Sequence, residues 1–187
     1  MRLRNLVAVL ALFLVVSMSA QQVPRRSPEF AVSTTDGNQM LLSHYSGKVV
    51  ILAFMFTTCP HCQHSSQILS AIQKDYADRG LQIIGSFFND NASQLIPGFV
   101  TQFQPAFPVG YASRDQVNDY LQHAPGKPTY VPELVFIDRN RQIRAQYTGN
   151  DDFLKDQDKN IRAFVETLLK EPVTAKKSGH GAHKKQS

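Results

Sequence analysis

Within the body of the chain, one stretch shows no polar alternation. Lys48 to Phe56 reads KVVILAFMF. A run this rich in β-branched and aromatic residues predicts a central strand buried on both faces between helices. Before it, Phe30 and Val32 alternate with polar positions, Asp36-Gly37 is a turn signal, and Met40 to Leu42 resumes the apolar pattern. That predicts a short hairpin. Beyond it the period changes. Ile68, Leu69, Ile72 and Tyr76 recur at helical spacing and Gly80 supplies a stop, so a helix follows the strand.

Leu81 to Phe88 (LQIIGSFF) predicts another strand. NDNASQLIPGFVTQF predicts a helix opened by an Asn or Asp cap and broken or kinked at Pro97-Gly98. Phe107 to Ala112 reads as a short edge-like segment. Ser113 caps a short helix with Val117, Tyr120 and Leu121 on one face. After the loop HAPGKPTY, the stretch VPELVFIDRNRQIRAQYTG predicts a hairpin about an Arg-Asn turn. Ile161, Phe164, Val165, Leu168 and Leu169 mark an amphipathic closing helix. Alternating β and α elements imply an α/β fold, with the last hairpin adding an antiparallel edge.

The ends of the chain differ from its body. Arg2 and Arg4 precede an apolar run from Leu6 to Val16, and small residues Ser17, Ser19 and Ala20 follow. This order predicts a signal peptide over residues 1–20, with an uncleaved membrane anchor as the alternative. The chain is therefore expected to be secreted across the inner membrane, into a periplasmic setting. QQVPRRSP predicts a linker over 21–28, the folded domain spans 29–170, and a flexible basic tail occupies 171–187. The formal charge of +5 sits at these ends: Arg2 and Arg4 supply two charges, and four lysines against Glu171 supply the rest. A near-neutral body with a short basic tail does not read as a nucleic-acid binder. The hydrophobic fraction of 42% is enough for an ordinary core.

The chain has two cysteines, Cys59 and Cys62, at the junction between the central strand and the next helix. A structural disulfide normally closes a longer loop, so a pair three residues apart points to reactivity. The first N–H groups of a helix lack partners and carry partial positive charge, so a thiolate at Cys59 is favoured there. Pro60 suits the first helical turn, where its missing N–H costs nothing. His61 offers a ring that could donate to the Cys59 sulfur, and Cys62 lies one turn along. A two-step exchange of disulfides then needs no cofactor.

At these residues the chain resembles the thioredoxin-like superfamily. Cys-Pro-His-Cys is the form associated with periplasmic disulfide oxidases. The layout from Pro28 to Lys170, with GKVVILAFMFTTCPHC and YVPELVFIDRNRQI, is similar to the secreted thioredoxin-like reductases of cytochrome maturation and the redoxin group. The resemblance implies a thioredoxin-like fold: a central mixed β-sheet flanked by helices, with an N-terminal β-hairpin extension. It implies a thiol-disulfide oxidoreductase in which Cys59 and Cys62 are catalytic and Pro60 and His61 modulate them. It also implies a cis Pro132 which, with Val131, binds the substrate backbone beside the cysteines. Partners would be protein thiols or disulfides, with a membrane redox partner to recycle the pair.

Three positions depart from the pattern. Thr58 stands where thioredoxins carry tryptophan, Ala53 where they bury an aspartate, and Ser65 where cytochrome-maturation reductases often have a glutamate. The carboxylate that would exchange a proton with Cys62 is thus missing at both expected places. A copper-binding, chaperone-like reading would use Cys59, Cys62 and a histidine, with His123 the distant candidate. With no second cysteine pair, no structural metal site is expected. A peroxide-reductase reading fails at Phe56, where those relatives place threonine.

Overall fold

The computed structural model describes residues 23–124, 126 and 128–173. The expected signal peptide and residues 174–187 of the expected tail lie outside the described residues.

β4 (Val49–Met55) is the central strand, and all seven of its residues are buried. Val49, Ile51, Ala53 and Met55 enter one apolar cluster, and Val50, Leu52 and Phe54 enter another. The unbroken apolar run therefore serves both faces of the sheet. Each fully buried Leu, Ile or Phe contributes about 1.5–3 kcal/mol relative to an exposed one, so this one strand anchors both cores. β5 (Leu81–Phe87) runs parallel to β4 on one side, and β7 (Glu133–Ile137) runs antiparallel on the other. β6 (Val109–Tyr111) continues the parallel set beyond β5.

The predicted N-terminal hairpin is β2 (Ala31–Ser33) with β3 (Gln39–Leu41), and Ser33 faces Tyr111 of β6. Gly110 permits that approach, since a Cβ there would lie 2.2 Å from the Ser33 carbonyl oxygen. β8 (Gln142–Tyr147) pairs with β7, and β1 (Arg25–Arg26) pairs with β8. The eight-stranded order is β1-β8-β7-β4-β5-β6-β2-β3. α1 (Pro60–Tyr76), α2 (Ala92–Phe103) and α4 (Gln157–Lys170) contribute to one face, through Leu69, Ile72, Ile96, Phe99, Ile161 and Val165. α3 (Arg114–Leu121) covers the other with Val117, Tyr120 and Leu121. This is the mixed sheet between helices that the resemblance implied.

Three local expectations change. The segment read as a linker over 21–28 supplies β1. Ser27 is buried with its hydroxyl 2.9 Å from the Tyr120 hydroxyl, and Arg25 donates to the Tyr120 carbonyl at 2.8 Å. The last hairpin is therefore not the sheet edge, because β1 covers β8. α2 runs unbroken through Pro97; a proline removes one backbone bond there, and Ile96 and Phe99 keep the helix packed on the core. Asn91 sits at its N-cap, but with a left-handed backbone (φ 56°) and no capping bond from its side chain. Ser113 caps α3 as expected, in a reciprocal capping box with Gln116.

Candidate active site

β4 ends at Met55 and α1 begins at Pro60, so the turn Phe56 to Cys59 leaves the sheet at the C-terminal edge of its parallel strands. Cys59 is the N-cap of α1, in an extended conformation (φ −85°, ψ 120°), and Pro60 opens the first turn. The Cys59 N–H donates to the Phe56 carbonyl at 3.3 Å, and the Cys59 carbonyl accepts from Gln63 N–H at 3.0 Å. Asn89, just beyond β5, fastens this turn from the side. Its Oδ1 accepts from the Thr57 N–H at 2.9 Å, and its Nδ2 donates to the Thr57 hydroxyl at 3.1 Å.

The two thiols occupy different environments. Cys59 is partly exposed and Cys62 is fully buried, and they are not bridged. Cys62 Sγ accepts the Phe56 N–H at 3.4 Å. Burial pushes the Cys62 thiol up; the Phe56 N–H opposes this, and the neighbouring Cys59 adds to it. Cys62 is thus held as a protonated thiol against the apolar cluster that includes Ala53, Met55 and Leu134. Ser65, in the place of the expected glutamate, is buried and donates to Gln157 Oε1 at 2.6 Å. His61 is exposed and, among the described residues, its ring makes no hydrogen bond, so the bond to Cys59 considered from sequence is not formed. As the second residue of α1, it is turned to solvent.

The Val131–Pro132 peptide bond is cis. Register places it near the dithiol, because Glu133 pairs with Phe54 at the end of β4 and Pro132 immediately precedes it. Val131 and Cys59 both pack on the rim of the cluster that contains Cys62. The loop is clamped from the turn after β8: Gly149 N–H donates to the Tyr130 carbonyl at 2.8 Å, and a Cβ on Gly149 would lie 2.6 Å from the Val131 carbonyl oxygen. The structure thus brings Cys59, Pro60, Cys62, Val131 and Pro132 to one edge.

Sequence reasoning missed two features here. One is Asn89. The other is Glu133, which is fully buried one residue after Pro132. Gln146 Nε2 donates to its Oε1 at 2.8 Å, and His123 Nε2 lies 3.1–3.2 Å from the two carboxylate oxygens. Burial pushes the Glu133 carboxyl up, while His123 and Gln146 pull it back. A lone acid inside the apolar run VPELVFI was the available signal. His123, read from sequence as a loop histidine or a distant copper ligand, is engaged with Glu133. Among the described residues, no group of three or more His, Cys, Asp or Glu side chains is arranged to hold a metal ion.

Residues 22–162 match the Redoxin family model. The chain is 26% identical over 132 residues to "Thiol-disulfide oxidoreductase ResA" of Geobacillus kaustophilus, covering 70% of this chain and 72% of the relative. It is 28% identical over 128 residues to the protein of the same name in Bacillus cereus, covering 68% and 70%. Among solved structures, a thiol:disulfide interchange protein of the thioredoxin family from Chlorobium tepidum superposes with a TM-score of 0.64 at 23% identity. That match covers 80% of this chain and 99% of that one, and speaks for the fold. The chain belongs to the redoxin family and is a thioredoxin-like thiol-disulfide oxidoreductase.

Proposed function

We propose that the protein exchanges disulfides with protein clients through Cys59 and Cys62, with Cys59 as attacking sulfur and Cys62 as resolving sulfur. The observation that carries this reading is the contrast in burial: Cys59 is reachable at the helix start, while Cys62 is fully enclosed behind it. In the reducing direction, the Cys59 thiolate attacks one sulfur of a client disulfide. The client S–S bond breaks, one client thiolate leaves, and a Cys59–client disulfide forms. Cys62 then loses its proton to the departing thiolate or to water and attacks the Cys59 sulfur. The second client thiolate is released. The client gains two electrons and the protein holds a Cys59–Cys62 disulfide; the oxidising direction is the reverse. Val131 and Pro132 lie at the rim of the cluster that holds Cys62, and the backbone of Val131 is the partner for an extended client segment.

The export signal read in residues 1–20 supports a setting outside the cytoplasm, where a membrane electron carrier could recycle the pair. The experiment is stoichiometric. Reduced protein is mixed with a disulfide-bonded peptide and both are weighed by mass spectrometry. The reading predicts a loss of two hydrogens from the protein, mapped to Cys59 and Cys62, for each peptide disulfide opened. Opening of the peptide without a Cys59–Cys62 disulfide overturns it.

A further inference from the structure

We propose that Arg114 is a specificity residue that favours client segments carrying a carboxylate beside the reacting cysteine. The inference rests on the client-exchange reading. The C-terminal edge of the parallel strands holds more than the dithiol: Phe56 follows β4, Phe88 follows β5, and α3 begins at Arg114 after β6. The Phe56 and Phe88 rings lie 4.6 Å apart at 62°. The Arg114 guanidinium carbon sits 5.5 Å from the Phe56 ring centre and 5.7 Å from that of Phe88. Phe56 in turn bonds to both cysteines through its backbone, donating to Cys62 Sγ and accepting from the Cys59 backbone N–H. The cation and the dithiol therefore share one edge of the sheet, joined through the turn residue Phe56.

Arg114 differs from the other arginines of the fold in its pairing or its place. Arg79, Arg141, Arg144 and Arg162 each pair with a carboxylate. Arg25 and Arg26 on β1 and Arg139 at the β7–β8 turn form no ion pair among the described residues, but they lie away from the edge that holds the dithiol. Arg114 is exposed and, among the described residues, has no ion pair. Asp115 and Asp119 are the exposed acids near it in the chain, and among the described residues neither forms an ion pair with it. A guanidinium resting on rings loses less freedom on pairing and keeps its planar edge for bidentate contact with a carboxylate. A cation without an ion pair on the edge that holds the dithiol has a client acid as its natural complement, and the pairing acts mainly on partner choice.

The test uses two disulfide-bonded peptides identical except for Glu or Lys next to the cysteine, reacted with the reduced full chain. The readout is the ratio of their second-order rates, so that a general loss of reactivity cancels. The native protein should favour the Glu peptide by about threefold to tenfold at low salt, the range for an exposed charge pair plus the matching repulsion. Arg114→Lys should keep the sign of the preference, and Arg114→Glu should reverse it. Equal rates for the native protein, or an unchanged ratio in Arg114→Glu, overturn the inference while leaving client exchange intact. Failure of both peptides and of uncharged 2-hydroxyethyl disulfide to react overturns the client-exchange reading and this inference with it.

Discussion

Ala53 and Phe54 are neighbours in β4 and face opposite sides of the sheet. On the Ala53 side lie Met55, Leu134 and the buried Cys62. The buried polar groups contributed there by α1 are neutral: Ser65, Ser66, Ser70 and Gln73. On the Phe54 side, directly across the strand pair, stands Glu133 with Gln146 and His123. Arg25 extends that network, donating to Gln146 Oε1 at 3.4 Å. Asp138 is the other fully folded-in acid among the described residues, and it closes the far end of β7, accepting from the N–H groups of Asn140 and Gln142. One strand therefore separates a thiol with uncharged surroundings from a face that concentrates charge under the cis-proline loop. Burial pushes the Cys62 thiol up, and the backbone N–H groups of Phe56 and of Cys62 itself oppose this without a carboxylate at position 53 or 65, so its proton leaves with the client or to water.

The harshest way to break this contrast is to place a charge on the uncharged face. Ala53→Asp puts a carboxylate into the cluster around Cys62 with no cation nearby. An uncompensated buried charge costs about 3–5 kcal/mol, so the urea midpoint at neutral pH should fall accordingly and recover as the pH is lowered. A midpoint equal to that of the native protein would show that this face admits water.

A smaller effect is expected where the faces meet. Val131 packs against both clusters, and the Gly149 N–H holds the preceding Tyr130 carbonyl. Gly149→Ala drives a Cβ to 2.6 Å from the Val131 carbonyl. The overlap should cost about 1–3 kcal/mol and slow client reduction more than reaction with a small disulfide. Equal slowing of the two would detach the loop from client binding.

The subtlest test is Glu133→Gln on the charged face. Burial raises the Glu133 carboxyl in the fold, so between the ordinary carboxylate range and that raised value the folded state binds more protons than the unfolded chain. Stability from this group therefore falls as pH rises through the window. Gln does not titrate, so the variant's urea midpoint relative to the native protein should improve from pH 4 to pH 8. A pH-independent difference would mean that His123 and Gln146 fully compensate the buried charge.

Much of this contrast was legible before any coordinates. The unbroken run at Lys48 to Phe56 showed that both faces of the strand are buried, and Pro60 marked where α1 begins. Ala53 and Ser65 already announced an uncharged floor beneath Cys62. The other face was hidden because its partners are distant in the chain: Glu133 meets His123 across the loop before Pro132, and Gln146 from the next strand. β1 was hidden for the same reason. Arg25 and Arg26 carry no strand signal of their own, and their order comes from pairing with Ile143 and Gln142. Asn89 reads as a candidate helix cap until its amide is seen fastening Thr57. At Pro97 a local breaker is overruled by the packing of Ile96 and Phe99.

The division of labour between the thiols is open to one direct measurement. Cys62→Ser and Cys59→Ser variants of the full chain are mixed with a disulfide-bonded client, quenched with acid, and resolved under non-reducing conditions. With Cys59 reachable and Cys62 enclosed, Cys62→Ser should accumulate a Cys59–client mixed disulfide that a reductant dissolves, and Cys59→Ser should accumulate none. Equal trapping by the two variants, or trapping through Cys62 alone, would contradict the assignment.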